Sequence, residues 1–372
     1  MKIGIEAERA NLPNPTGVER YAAEMIKNFA HMDNQNEYVL YFRTKPEQWF
    51  LDLPKNFSVK VIPFPKFWTQ LRISWEMIWH PVDILFIPAS ALPLWHPRKS
   101  VVTVHDVAWR LYPQAFTKFM RWYLEWSTKF AVRNARKILA VSEATKKDLT
   151  KFYGISPDRI AVTYLGYDTE TLKPRSYEEV QSVLDKYGLV YQKYILFLGT
   201  IQPRKNIIRL VEAFQKLKKQ NHIEEKLAIF GGRGWLWEPI VKKIKMVGLD
   251  GSCKYFDYAP KDDLPYLYAG AKLLTLPALY EGFGLPPLEA MACGVPVVVS
   301  NVSSLPEVVG DAGVLVNPNN TDSIAEGLLK VLINNNLRQE MITAGLAQAA
   351  KFTWEETARK TLEVIESLNE KN

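Results

Sequence analysis

Short apolar runs alternate with amphipathic helical stretches from residue 2 to residue 316, in two series parted by one polar gap. In the first series KIGIE, EYVLYF, VKVIP, ILFIP, VVTVHD, KILAVS and IAVTYL read as strands. YILFLGT, KLAIFG, CKYFDYA, KLLTLP, PVVVS and GVLVNP follow in the second. Helical spacing appears between them, as in Tyr21, Ala22, Met25, Ile26 and Phe29, or Ile207, Leu210, Val211, Phe214 and Leu217. Helices are also expected over 115–136 and 143–153, the latter with Ser142 as N-cap. Strands that alternate with helices in this way build parallel sheets covered on both faces, so the fold class is α/β.

At 372 residues the chain exceeds what one core usually organises. The pattern lapses over 169–192, a polar stretch with only a short helix near 176–187. Two doubly wound, Rossmann-like domains are therefore expected, 1–170 and 171–354. No internal repeat relates them. A last amphipathic helix, 355–372, begins after Thr353 as N-cap. Its periodicity leaves open whether it stays with the second domain or packs back on the first.

Composition excludes several classes. Two cysteines, Cys253 and Cys293, cannot build a disulfide framework or a thiolate metal site. The start, MKIGIEAERANL, has acids where a signal peptide needs an apolar core. VDILFIPASALPLW is proline-broken and shorter than the roughly 20 residues of a spanning helix. A soluble chain in a reducing, cytoplasmic compartment is expected, at most peripheral to a membrane. Residues 1–170 hold 23 Lys+Arg against 17 Asp+Glu (+6), and the remainder 24 against 23 (+1), which together give the +7 of the whole chain. A basic half suits an anionic partner: a membrane surface, a nucleic acid or a phosphorylated substrate.

The stretch ALYEGFGLPPLEAMACGVPVVVS, 278–300, carries the densest chemistry. It reads as a glycine loop after a strand, then a helix with early prolines, a closing Gly294 and the next strand. Ligands of open α/β sheets sit beyond strand ends, where such loops meet helix N-termini and their N–H groups favour phosphate. Gly282 and Gly284 let backbone approach a ligand closely. Glu281, before the helix, can accept hydrogen bonds from hydroxyls. Glu289, placed in the first turn, can take a diol such as a ribose. The bland account of Glu289 is an anion stabilised by the helix dipole, worth roughly 0.3–1 kcal/mol. The presence of both carboxylates around one loop favours a site.

LGTIQPRKNI, 198–207, supplies cations. A strand ends at Gly199, and Arg204 and Lys205 precede a helix starting near Asn206. Adjacent Arg and Lys suit a diphosphate, although a solvated basic turn is the commoner fate of such a pair. In VVTVHDVAW, His105 and Asp106 directly follow a strand. In NPTGVERY, Gly17 and Val18 open a helix and can reach a phosphate through N–H groups. No G-x-G-x-x-G follows the first strand, against a nicotinamide-dependent dehydrogenase. No G-x-S-x-G elbow exists for a hydrolase. No His/Cys cluster has metal-ligand spacing.

EGFGLPPLE resembles the E-x7-E element of retaining glycosyltransferases with the two-domain GT-B architecture, specifically glycosyltransferase family 4. EAMACGVPVVVSNVSSLPEVVGDAGVLVNP is similar to the segment that follows it, and the likeness runs over essentially the whole chain. It implies that Glu281 contacts donor-sugar hydroxyls and Glu289 the ribose of a nucleotide sugar. Backbone at Phe283, Gly284 and Leu285 would hold sugar and diphosphate, Arg204 and Lys205 would neutralise the leaving nucleoside diphosphate, and His105 would touch the sugar. The glycine-rich IFGGRGW, 229–235, would lie near the nucleobase. Family members often carry two glycines where this chain has Thr16 and Gly17.

The resemblance implies a retaining, metal-independent transferase with no cofactor, its donor lying in an interdomain cleft and a glycan or lipid-linked acceptor approaching over the first domain. TGVERY, TVHDVAW and PRKN are most similar to the GDP-mannose-dependent branch that serves cell-surface polysaccharide synthesis. A UDP-sugar-dependent transferase, a sugar-nucleotide epimerase and a non-catalytic nucleotide-sugar binding module remain the alternatives. Lys118, Arg121, Trp122, Trp126, Lys129 and Arg133 form a basic amphipathic face suited to anionic lipid. Nucleic acid is not expected, because no reader motif accompanies the charge.

Overall fold

The computed structural model describes residues 1–12, 16–247 and 251–369. Asn14 and Pro15 of the NPTGVERY loop and the last three residues of the expected 355–372 helix lie outside these. Two compact units divide the chain. Unit 1 comprises residues 1–111, 118–166 and the segment from Trp354 onward; unit 2 comprises 112–117 and 167–353.

In unit 1 the strands are β1 (Lys2–Glu6), β2 (Glu37–Phe42), β3 (Phe57–Val61), β4 (Ile84–Ile87), β5 (Ser100–Val104), β6 (Lys137–Ala140) and β7 (Ile160–Val162). They form one parallel sheet in the order β3-β2-β1-β4-β5-β6-β7. Ile3 stands opposite Tyr38 on one side and Ile84 on the other. Unit 2 contributes β8 (Tyr194–Leu198), β9 (Lys226–Phe230), β10 (Cys253–Phe256), β11 (Leu273–Leu276), β12 (Val297–Ser300) and β13 (Gly313–Val316), ordered β10-β9-β8-β11-β12-β13. The central strands read as unbroken apolar runs because both faces are covered; Ile84 to Ile87 and Leu273 to Leu276 are all buried.

The helices of unit 1 are α1 (Gly17–Met32), α2 (Ser74–Trp79), α3 (Ala108–Leu111), α4 (Lys118–Asn134) and α5 (Glu143–Tyr153). Unit 2 follows with α6 (Tyr177–Tyr187), α7 (Ile207–Asn221), α8 (Trp237–Val247), α9 (Leu264–Ala269), α10 (Leu285–Ala292), α11 (Leu305–Val309), α12 (Thr321–Ile333) and α13 (Asn335–Ala349). Side chains start several of them as their types predict: Ser142 accepts from Thr145 N–H, and Ser176 with Glu179 forms a capping box on α6. Gly154 and Gly188 end α5 and α6 in the left-handed conformation.

The last helix, α14 (Trp354–Glu366), belongs to unit 1 and packs along α1. Thr357 Oγ1 donates to Tyr164 O at 2.6 Å, and Trp354 lies against Tyr21. The periodicity of this helix is satisfied equally by either unit; the long-range partners decide.

In both sheets the strand order reverses beside the first strand of the unit, between β1 and β4 and between β8 and β11. Loops leaving the carboxyl ends of such neighbours diverge to opposite faces and open a crevice, where ligands of doubly wound sheets bind.

Candidate active site

In unit 2 the loop after β8 carries Arg204 and Lys205, and the loop after β11 carries Glu281. Because β8 and β11 are neighbours at the reversal, the two loops meet. Arg204 and Lys205 occupy a tight turn, Pro203–Lys205, which closes on Asn206 in the left-handed conformation (φ 60°). The Asn206 amide donates to Pro277 O at 2.9 Å and Pro318 O at 2.7 Å, and thereby ties the basic loop to the end of β11. Leu279 N–H donates to Arg204 O at 2.9 Å, a second stitch between the loops.

The charged heads converge. Lys205 Nζ lies 2.6 Å from Glu281 Oε1, and Arg204 Nη1 lies 3.3 Å from Glu281 Oε2 and 2.6 Å from Tyr280 O. All three residues have side chains about nine-tenths covered, so the solvated-turn account of the Arg-Lys pair does not hold. Burial opposes ionisation of Glu281, but the Lys205 charge, then that of Arg204, overrides it and holds the carboxyl below its ordinary value. Ser303 and Ser304 fix the loop further: Glu281 N–H donates to Ser303 Oγ, and Ser304 Oγ donates to Glu281 O and Phe283 O.

Gly199 directly follows the end of β8 at Leu198, and the Lys205 side chain runs past it; a Cβ there would stand 3.5 Å from Lys205 Cε. Gly231, in the IFGGRGW loop, is more tightly placed, since a Cβ would stand 1.9 Å from Gly199 O. The glycine-rich loop therefore lies against the basic loop. Gly284 is the N-cap residue of α10 with φ 108°, and a Cβ would meet Leu305 Cδ2 at 2.5 Å. Only glycine fits there. With Pro286 and Pro287 lacking N–H groups, Leu285 and Leu288 supply the first-turn donors of α10. Phe283 is buried, edge-on to Phe352.

Glu289 stands elsewhere than the first turn expected of it. It is the fifth residue of α10, buried, and accepts a 2.7 Å hydrogen bond from Tyr268 OH. The early prolines shift the helix start back to Leu285 and leave Glu289 one turn in, where the dipole account loses its force. Burial, with the Glu289 charge beside it, pushes the Cys293 thiol far above its ordinary range and leaves it inert.

Gly17 and His105 belong to unit 1. Gly17 is the first residue of α1, and the N-cap Thr16 backbone donates to Glu19 Oε2 at 3.0 Å in a capping box. His105 follows β5, with its ring edge-on to Tyr21 at 5.1 Å. Its Nε2 lies 2.9 Å from Pro88 O; a carbonyl only accepts, so Nε2 carries the proton and Nδ1 is the acceptor. Burial pushes the imidazole below the ordinary histidine value, so it is neutral near pH 7. Asp106 instead accepts from Ala108 N–H at 2.9 Å and shapes the following turn.

Asn206, Tyr268, Ser303 and Ser304 were not singled out by sequence reasoning as site residues. Asn206 stood in view inside PRKN, read only as a helix start. The other three have no spacing that distinguishes them from surface or core. Among the described residues, no group of three or more His, Cys, Asp or Glu is arranged to hold a metal.

Comparison with known proteins agrees with this architecture. Residues 15–171 match the family model described as Glycosyltransferase Family 4, and residues 185–348 that described as Glycosyl transferases group 1. The O-antigen chain mannosyltransferase B of Escherichia coli is 40% identical over 73% of this chain and 71% of that protein. Among solved structures, sucrose-phosphate synthase from Thermosynechococcus elongatus superposes with a TM-score of 0.79 at 17% identity, covering all of both chains. HepE of Anabaena, solved with UDP and glucose, gives 0.76 at 19% identity, over 98% of this chain and 99% of that one. At these identities the structural likeness carries the fold, and the sequence matches carry the family. Two Rossmann-like parallel-sheet units, the matched models and a relative aligned over most of its length establish that the chain belongs to glycosyltransferase family 4.

Proposed function

We propose that this chain is a retaining, metal-independent mannosyltransferase that moves mannose from GDP-mannose to a hydroxyl of a glycan or lipid-linked acceptor in cell-surface polysaccharide synthesis. It works in the cytoplasm, peripheral to the inner face of the membrane. The observation that carries the reading is the buried meeting of Arg204, Lys205 and Glu281 at the carboxyl edge of a doubly wound sheet. Two cations held together there suit the charge of a departing diphosphate. The 40% identical relative, named a mannosyltransferase of O-antigen chains, supports the sugar and the pathway class.

In this reading the bond between C1 of the sugar and the β-phosphate oxygen breaks, and its electron pair leaves with the nucleoside diphosphate. Arg204 and Lys205 neutralise the charge that develops on that oxygen. The acceptor hydroxyl bonds to C1 on the face just vacated, and its proton passes to the departing phosphate. Glu281 accepts hydrogen bonds from sugar hydroxyls, and Glu289, oriented by Tyr268, accepts from the ribose. Neutral His105 offers Nδ1 to a sugar hydroxyl.

Calorimetric titration with GDP-mannose, UDP-glucose and UDP-N-acetylglucosamine in EDTA tests the donor. Proton NMR of the transferred product then reads its anomeric form. GDP-mannose should bind tightest and give an α-linked product. Tighter binding of a UDP-sugar overturns the mannose assignment, an inverted product the retaining one, and loss of transfer in EDTA the metal-independent one.

A further inference from the structure

Unit 1 exposes large apolar side chains from three segments that adjoin one another. Trp75, Ile78 and Trp79 of α2 are each more than half exposed, as are Trp95 in the loop after β4 and Phe119 and Trp122 of α4. The segments are physically joined. Leu94 N–H donates to Gln70 O, and Trp95 N–H donates to Ser74 Oγ at 3.0 Å. An apolar hollow of about 220 Å³ is lined jointly by Phe67, Leu71, Leu94, Trp122, Tyr123 and Trp126. A helical turn of π width, Trp68–Ile73, leads directly into α2 and turns Leu71 and Trp75 outward together. On α4 the rings follow each other along one stripe, Trp122 stacked near Trp126 and Trp126 near Phe130. An exposed apolar surface of this extent on one unit marks a place of contact.

The charge around it is one-sided. At 100° per residue, Lys118, Lys129 and Arg133 fall beside the aromatic stripe of α4, and all three are exposed. Lys66 adds a further exposed cation next to Phe67. The acids nearby are spoken for: Glu76 is buried against Lys60 and Arg72, Glu125 pairs with Arg110, and Glu8, which lines a hollow with Lys66 and Phe119, accepts from the N–H groups of Arg43 and Thr44. Tryptophans at a boundary flanked by unpaired positive charge match an anionic bilayer, whose headgroup region takes amphipathic rings and whose surface potential attracts the cations. A second copy of this chain would bring the same positive rim against itself. Among the described residues, no helix is long and apolar enough to cross a membrane.

We infer that this aromatic face of unit 1, with Trp75, Trp79, Trp95 and Trp122 at its centre and Lys118 and Lys129 at its rim, seats the protein on an anionic lipid surface. The inference deepens the membrane part of the function proposed above by naming the surface and the lipid chemistry. It does not depend on which sugar is moved.

Vesicle co-sedimentation of the full chain, without donor or acceptor, tests it at about 0.15 M salt, where only charges close to the surface still act. Vesicles containing phosphatidylglycerol should bind the protein, and pure phosphatidylcholine should bind it far less. Trp75→Ser with Trp79→Ser should lower the partition coefficient by at least about tenfold. Lys118→Glu with Lys129→Glu should remove the preference for anionic lipid, each lost cation costing about fivefold. Circular dichroism should stay unchanged in both, and transfer to a soluble acceptor in detergent should persist. Absence of binding by the parent chain, or equal binding by the tryptophan variant, overturns the inference. So does a dimer on size exclusion that these substitutions dissociate. Because sedimentation uses no nucleotide sugar, its failure leaves the transfer reading standing, and failed transfer leaves this one standing.

Discussion

Lys205 and Glu281 form a salt bridge, Nζ to Oε1 2.6 Å, in which neither side chain is more than a tenth exposed. It joins two loops that leave adjacent strands, so the ion pair is also the clasp of the site. Removing one partner of such a pair strands the other charge in low dielectric, whereas removing both does not. Lys205→Met should therefore lower unfolding free energy by about 3–5 kcal/mol. Adding Glu281→Gln should restore part of it, because Arg204 then loses its carboxylate partner but keeps its bond to Tyr280 O. Urea denaturation of the two single variants and the double variant closes the cycle, and simple additivity would show that the pair is not coupled.

Glu281 also has a pH signature. Its folded carboxyl is held below its ordinary value because Lys205 and Arg204 outweigh the cost of burial. A depressed acid contributes stability above its unfolded pKa, 4.5, and loses it as pH falls through the folded value. Unfolding free energy should fall on acidification below pH 4.5, and less steeply in Glu281→Gln. The same variant should abolish sugar transfer while calorimetry still detects nucleotide binding. Unchanged turnover would remove Glu281 from the reaction.

Tyr268 gives a way to separate positioning from chemistry. Its hydroxyl donates to Glu289 Oε2 at 2.7 Å within the interior. Tyr268→Phe removes that hydrogen bond, at a net stability cost of about 1 kcal/mol, and loosens the orientation of the carboxylate. KM for the nucleotide sugar should rise several-fold with kcat nearly unchanged, because the ribose lies away from the bond that breaks. An equal fall in kcat with KM constant would place Glu289 nearer the reacting centre.

Among the described residues the central strands were legible because each is a short apolar run covered on both faces, and the half-buried edge strands β3 and β10 because apolar residues still recur between turn residues. Glu281, Arg204 and Lys205 were legible because they sit in loops, where charged side chains stand out, and Glu289, inside α10, was legible by its spacing from Glu281. What escaped notice depends on contacts distant in sequence. Asn206 matters through Pro277 and Pro318, Tyr268 through Glu289, and Ser304 through Phe283. A serine or an asparagine carries no local sign of a partner so far along the chain. The start of α10 was misjudged for a local reason, since two prolines can occupy the second and third helical positions as readily as the first.

Gly284 tests how tightly the loop is built. At φ 108° an added Cβ is strained, and it would stand 2.5 Å from Leu305 Cδ2. Gly284→Ala should cost about 1–3 kcal/mol and push the start of α10 away from α11. Donor affinity should fall more than melting temperature alone would explain, because the backbone at 283–285 shifts. Gly232→Ala is the control: a Cβ there meets nothing within 4 Å. Equal effects from the two would discount the loop.

Glu6 offers the opposite sign to Glu281. It ends β1, is 3% exposed, and burial raises its pKa to about 7, with Arg9 opposing and Glu8 adding to the rise. A raised acid holds its proton in the folded chain, so its contribution is fully present below the unfolded pKa of 4.5 and is lost as pH climbs through about 7. The gap between those values corresponds to about 3 kcal/mol. Glutamine has the same shape and never ionises. Glu6→Gln should therefore match the parent chain near pH 4 and exceed its unfolding free energy by up to about 3 kcal/mol at pH 8. Urea titrations of both chains across that span give the difference directly. Parallel curves would mean that Glu6 finds enough solvent or positive charge to ionise at its ordinary value.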